Sequence, residues 1–264
     1  MMDSPKHEAY ENGGTIVNRY ARIAIAVLAS VGLLASASAC GTSQDGAGSA
    51  HGAIPVVSSI NQWGTLAEQL GGSGVQVTSI INSTNVDAHD YEPTTSDIAK
   101  LQKARIVIVN GAGYDSWAVK AAQSAKSQVI NAAEIGGVKD GGNPHVWFSA
   151  AVRKAVAQAI TRAYEGTRPD GKADFDKLNQ QWRSKEDEVA RKITETKRKA
   201  DGEAYAATES VAEYLAGDLG LKDATPTGYM RATANESEPT PTDIKQFTDT
   251  YDSTEGCTCT RTYC

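Results

Sequence analysis

The chain has 264 residues, 40% of them apolar and 22% charged, and a formal net charge of -6. That balance belongs to a globular protein long enough for two ordinary lobes, and it excludes a disordered chain. The net negative charge, with no basic patch interleaved with aromatics, argues against nucleic acid as a partner.

In chain order, Arg19 and Arg22 form a positive flank, residues 23–34 are an apolar run, and Ala37-Ser38-Ala39 precede Cys40. This reads as a secretory signal, the run being too short for a membrane span of roughly 18 to 20 apolar residues. Residues 1–18 are long and acidic for such a start and read as an extension ahead of it. Two processing routes fit. Small residues before a cysteine resemble a bacterial lipobox, which would make Cys40 a lipidated N-terminus, while the same residues spell the A-x-A of ordinary signal peptidase. The Gly/Ser-rich stretch that follows, residues 40–53, suits a flexible tether and favours the lipid anchor. The other three cysteines, Cys257, Cys259 and Cys264, sit in the last eight residues, so the body of the chain has to be held by packing without a disulfide framework.

Residues 54–72 read as a β-branched strand followed by a helix, with Trp63, Leu66, Ala67 and Leu70 at helical spacing until Gly71-Gly72 stop it. VQVTSII at 75–81 is a second strand. A loop, DAHDYEPT, follows it, and Ser96 is expected to cap a helix running to Lys103. ARIVIVNGAG at 104–113 is an almost wholly apolar strand of the kind buried on both faces of a parallel sheet. SQVINAAEI at 127–135 is a fourth strand, and Ser149 is placed to cap a helix over 150–164. Strands alternating with helices imply a parallel α/β sheet.

From residue 173 to 200 no Gly or Pro interrupts a run of Glu/Lys and Glu/Arg neighbours. A solvated helix of about 26 residues, about 39 Å long, would span two lobes. A strand and a helix restart after it, and Glu238-Pro239-Thr240-x-x-Asp243-Ile244 then repeats the Glu92-Pro93-Thr94-x-x-Asp97-Ile98 of the first half.

The four histidines are His7, in the leader, His51, in the tether, His89 and His145. The last two follow predicted strands, where parallel α/β sheets bind their ligands. Two imidazoles converging at one sheet edge would suit a cation, whereas either alone reads more simply as a surface residue or a satisfied hydrogen-bond donor. Glu209 is the candidate third donor, with an ordinary cap acid as its plainer reading. Two histidines and a glutamate also describe catalytic zinc sites, but H-E-x-x-H, G-x-S-x-G and an identifiable general base beside the ligands are all missing.

DAHDYEPTTSDI resembles the D-P-H-x-Y-E-P-T/S-P-x-D signature of metal-binding receptors of ABC importers, the zinc and manganese branch of the solute-binding proteins. NPHVWFS resembles that family's D-P-H-x-W, and ESEPTPTDI its E-x-E-P-S-P-x-D-I/L. The resemblance spans about residues 54–247 with the motifs in the family's order. It implies two α/β lobes with parallel sheets joined by a long rigid helix: an N-terminal lobe over 54–172, a linker helix over 173–200 and a partial C-terminal lobe over 201–264. It further implies His89, His145 and Glu209 as metal ligands, zinc as cargo with manganese as the alternative, an ABC permease as partner, a monomeric receptor that is not an enzyme, and a lipid anchor at Cys40 on the extracytoplasmic face of the cell membrane. Many zinc members carry histidine where this chain has Glu209, and Ala88 and Asn143 depart from the pattern beside each histidine. Where that family continues with further strand and helix units and a fourth, carboxylate ligand, this chain runs into FTDTYDSTEGCTCTRTYC. The expectation is an incomplete second lobe, with Cys257 or Cys259 as rival donors.

Overall fold

The computed structural model describes residues 52–253 except 84, 85, 87, 89, 201 and 236, and of 251–253 the backbone alone. The leader, Cys40, nearly all of the tether, His89 and the three C-terminal cysteines lie outside the described residues. The β-branched run Ile54–Ile60 forms strand β1, and Trp63, Leu66, Ala67 and Leu70 form the buried stripe of helix α1, Asn61–Gly71. Gly72, at φ 52, ends it in a conformation that costs little only without a Cβ. Strand β2, Val75–Ile81, helix α2, Thr95–Lys103, strand β3, Ile106–Val109, helix α3, Ser116–Gln123, and strand β4, Gln128–Asn131, follow. A single turn of helix α4, Ala132–Ile135, leads through residues 136–149 to helix α5, Ala150–Thr167.

The four strands pair in the order β2-β1-β3-β4, all parallel, with Val56 beside both Val77 and Ile106. All four residues of β3 are buried, because alternate side chains feed two cores. Ile106 and Ile108 join Trp63, Leu70, Ile160 and Tyr164 on one face. Val107 and Val109 join Leu101, Ala118 and Ala122 on the other. Helices on both faces explain why the strand reads as a continuous apolar run rather than an alternating one.

Among the boundaries that differ from the sequence expectation, three have a local cause. Strand β3 stops at Val109, because Gly111, Ala112 and Gly113 all take positive φ, at 81°, 55° and 87°; left-handed backbone cannot continue a strand, and Ala112 carries the strain of a Cβ there. Strand β4 stops at Asn131, whose side chain accepts from the Glu134 N–H at 3.1 Å and so starts α4. Helix α2 is capped by Thr94 rather than Ser96: Thr94 Oγ1 accepts from the Asp97 N–H at 3.2 Å while Asp97 Oδ2 accepts from the Thr94 N–H at 3.0 Å.

The long helix, α6, spans Lys172–Ala200, 29 residues or about 44 Å. Its first half docks on α5: Phe175 is fully buried, Asn179 Nδ2 donates to Thr161 Oγ1 at 2.6 Å, and Arg153 holds Glu186, its Nε 3.0 Å from Oε1. Glu186 is buried, an exception to the expected solvated charge. From Asp187 onward the face is mostly exposed.

Beyond α6 lie strand β5, Ala204–Tyr205, helix α7, Glu213–Leu219, strand β6, Lys222–Asp223, helix α8, Thr227–Ala234, and helix α9, Pro241–Ser253. β5 and β6 pair in parallel, Ala204 opposite Lys222. Among the described residues here the buried apolar side chains are Ala206 and Ala216, and α8 meets α9 through the Tyr229 and Phe247 rings, 4.6 Å apart.

Candidate metal centre

The carboxyl ends of the parallel strands carry the loops that contain the predicted donors. His145 lies between α4 and a short 3-10 turn at Val146–Phe148, with the preceding Pro144 pinning the backbone. The loop is clipped to the end of β3, since the Pro144 carbonyl accepts from Asn110 Nδ2 at 2.9 Å. Asn110 is fully buried, and its Oδ1 accepts from Trp63 Nε1 at 3.0 Å. Its own N–H and that of Gly111 donate to the buried Asp115 carboxylate at 2.7 and 2.8 Å. Burial pushes the Asp115 carboxyl above the ordinary carboxylate range, although these two donors oppose the shift.

Asn143 decides the orientation of the His145 ring. Its Oδ1 accepts from the His145 N–H at 3.0 Å and lies 2.8 Å from Nδ1. Its Nδ2 donates to the Ser210 carbonyl at 2.8 Å and to Glu213 Oε2 at 2.7 Å. Both of those partners are acceptors, so the amide cannot be flipped, and the oxygen facing the imidazole requires a proton on Nδ1. In the neutral imidazole Nε2 then carries the lone pair, the state a metal ligand needs. The rings of Tyr114 and Trp147 stand 5.9 and 5.2 Å from the imidazole, both edge-on.

Glu209 is exposed and precedes the 3-10 turn Ser210–Ala212, making no side-chain cap bond to it. The next residue, Ser210, receives the Asn143 amide, and the Tyr214 hydroxyl donates to the Asn143 carbonyl at 2.9 Å. The structure therefore brings the His145 loop and the turn after Glu209 together. Burial pushes the Tyr214 hydroxyl upward, and the nearby Glu213 adds to the shift. His89 lies outside the described residues. On either side of it, Ala88 is buried in the core, and Tyr91 donates to Asp97 Oδ2 at 2.8 Å. Among the described residues no three His, Cys, Asp or Glu side chains form a metal-holding group.

Asn143, Glu213 and Tyr214 were not singled out as site-building residues from sequence; the one signal was that Asn143 departs from the family pattern two residues before a candidate ligand. A cavity of about 420 Å³ between α1, α5 and α6 is lined by Trp63, Trp147 and Trp182. Its one carboxylate, Glu186, is already held by Arg153.

A doubly wound parallel sheet, a long helix and a second βαβ unit bound back to the ligand-side loops define the architecture of helix-linked metal receptors. The metal-dependent lipoprotein YcdH of Bacillus subtilis superposes with a TM-score of 0.59 at 25% identity, over 64% of this chain and 66% of that one. The chain belongs to the family of the periplasmic zinc-uptake complex component A, which it matches over residues 56–258. The high-affinity zinc uptake system protein ZnuA of Bacillus subtilis is 24% identical over 53% of this chain and 50% of its own length. The manganese-binding lipoprotein MntA of Halalkalibacterium halodurans is 27% identical over 56% and 49%. The chain thus spans about half the length of these curated relatives. One of them is named for zinc uptake and the other for manganese binding.

Proposed function

We propose that the protein captures a divalent metal outside the cytoplasmic membrane and hands it to an ABC import permease. The observation that carries this reading is His145, held at the carboxyl edge of the sheet with its Nε2 lone pair fixed and its loop bonded to the turn after Glu209. His89, His145 and Glu209 are the proposed ligands. Zinc is the first choice because two imidazoles suit it, and manganese the second because a more oxygen-rich set is harder. Lipidation at Cys40 anchors the receptor as a monomer on the outer face of the membrane, the lobes being 54–172 and 201–264 about the linker helix.

The test is a competitive zinc titration of the wild-type chain against His89→Ala, His145→Ala and Glu209→Ala. Each histidine variant is expected to lose at least about a hundredfold in affinity while its far-UV circular dichroism stays unchanged, since His145 lies outside the helices and strands and the sequence reads residues 87–94 as a connection after a strand. Glu209→Ala is expected to lose less, because that side chain is exposed. Unaltered affinity in either histidine variant would overturn the ligand assignment.

A further inference from the structure

We infer that Asn143 is the positioning residue of this site: one amide fixes the tautomer of His145 and latches its loop to the 210–214 turn before any metal arrives. The metal-related part of this inference rests on the receptor reading above. Asn143 uses its full hydrogen-bonding capacity, with Oδ1 serving the His145 N–H and Nδ1, and Nδ2 serving Ser210 and Glu213. Its backbone carbonyl takes a further bond from Tyr214. Two acceptor bonds thus point into the His145 loop, and three bonds reach a segment 67 to 71 residues away.

Asparagine does both tasks because one short side chain carries an acceptor and a donor. A carboxylate at 143 would keep the acceptor toward Nδ1 but would set its second oxygen against the Ser210 carbonyl and the Glu213 carboxylate, three acceptors with no proton between them. A small apolar residue would lose both functions. The lock and the latch are therefore separable by substitution. The mechanical consequence is that the His145 loop and the turn after Glu209 move as one body, so this part of the site is ordered before a metal ion arrives.

The experiment uses Asn143→Ala, Asn143→Asp, and Asn143→Asp combined with Glu213→Gln, which returns a donor from the opposite side. In the metal-free proteins, ¹⁵N spectra of the imidazoles at pH 8, with His145 assigned through its absence in His145→Gln, should show Nδ1 protonated and Nε2 bare in the wild type and in Asn143→Asp. Asn143→Ala should give a mixture of tautomers. Amide hydrogen exchange over residues 210–216 should be faster in Asn143→Asp than in the wild type, and slow again in the double variant. Zinc affinity should fall about 10- to 100-fold in Asn143→Ala, the usual cost of losing an outer-shell partner, and by less in Asn143→Asp, with the double variant recovering most of that smaller loss.

A single pure Nδ1–H tautomer in Asn143→Ala would overturn the lock. Unchanged exchange in Asn143→Asp, or a double variant as fast as the single one, would overturn the latch. Recovery in the double variant also shows that the single substitution did not simply unfold the chain. Wild-type protein that binds neither zinc nor manganese would overturn the receptor reading instead, while the spectra and exchange rates of the apo protein would still decide the role of Asn143.

Discussion

The two copies of Glu-Pro-Thr-x-x-Asp-Ile form the same local structure in different surroundings. In both, the Asp N–H lies 3.2 Å from the Thr hydroxyl and the Thr N–H 3.0 Å from the carboxylate. Around the first copy, Tyr91 and Lys100 add bonds to Asp97 at 2.8 and 2.9 Å. The corresponding positions of the second copy hold Ser237 and Gln246. Four residues past the aspartate, Leu101 is fully buried, whereas Phe247 is half-buried against Tyr229. Ile244 is 50% exposed. A capping box fixes where a helix starts; how firmly that helix is held is decided by what the rest of the chain packs against it.

The largest effect that this contrast predicts is in the core. Leu101→Ala should cost about 2–5 kcal/mol, because it opens a cavity between α2 and the sheet. Phe247→Ala should cost under about 2 kcal/mol, since part of that ring already faces water. Urea unfolding of the two variants measures both; equal losses would mean that the second region is packed as tightly as the first.

Asp97 comes next. Its burial pushes the carboxyl up, but bonds from Thr94, Lys100 and Tyr91 outweigh that and hold it well below the ordinary carboxylate range. With the folded pKa below the unfolded value of about 3.9, the unfolded chain binds the extra proton. The stabilisation is therefore fully present above about pH 4 and fades as pH falls further. Asp97→Asn should cost about 1–3 kcal/mol at neutral pH and should flatten the acid limb of stability against pH. A limb as steep as that of the wild type would remove Asp97 from the account.

The smallest effect is the one that the copies share. Thr94→Ala and Thr240→Ala each remove one cap, worth about 1 kcal/mol of local helix stability. Hydrogen exchange at the first turns of α2 and α9 should rise by similar factors in the two variants. A large difference would show that the box is not an independent local unit.

The same division explains what was legible in the sequence. The four strands and the long helix were readable because continuous apolar runs and an uninterrupted charged run are local signals. The helix start at Thr94 was also written there, as Thr-x-x-Asp, but Ser96 competed as a cap and the reciprocal bond to Asp97 decides between them. The turn at 111–113 depends on positive φ at Ala112, which residue type does not announce. His145 and Glu209 could be named from motifs and from their place after strands. The partnership of Asn143 with Ser210, Glu213 and Tyr214 could not, because it joins loops through the tertiary fold.

X-ray absorption at the zinc edge of the metal-loaded protein tests the central claim most directly. The account predicts a first shell of nitrogen and oxygen at about 2.0–2.1 Å, with outer-shell scattering from two imidazoles that drops to one in His145→Ala. A sulfur shell at about 2.3 Å that survives dilution would place Cys257, Cys259 or Cys264 on the metal and contradict it.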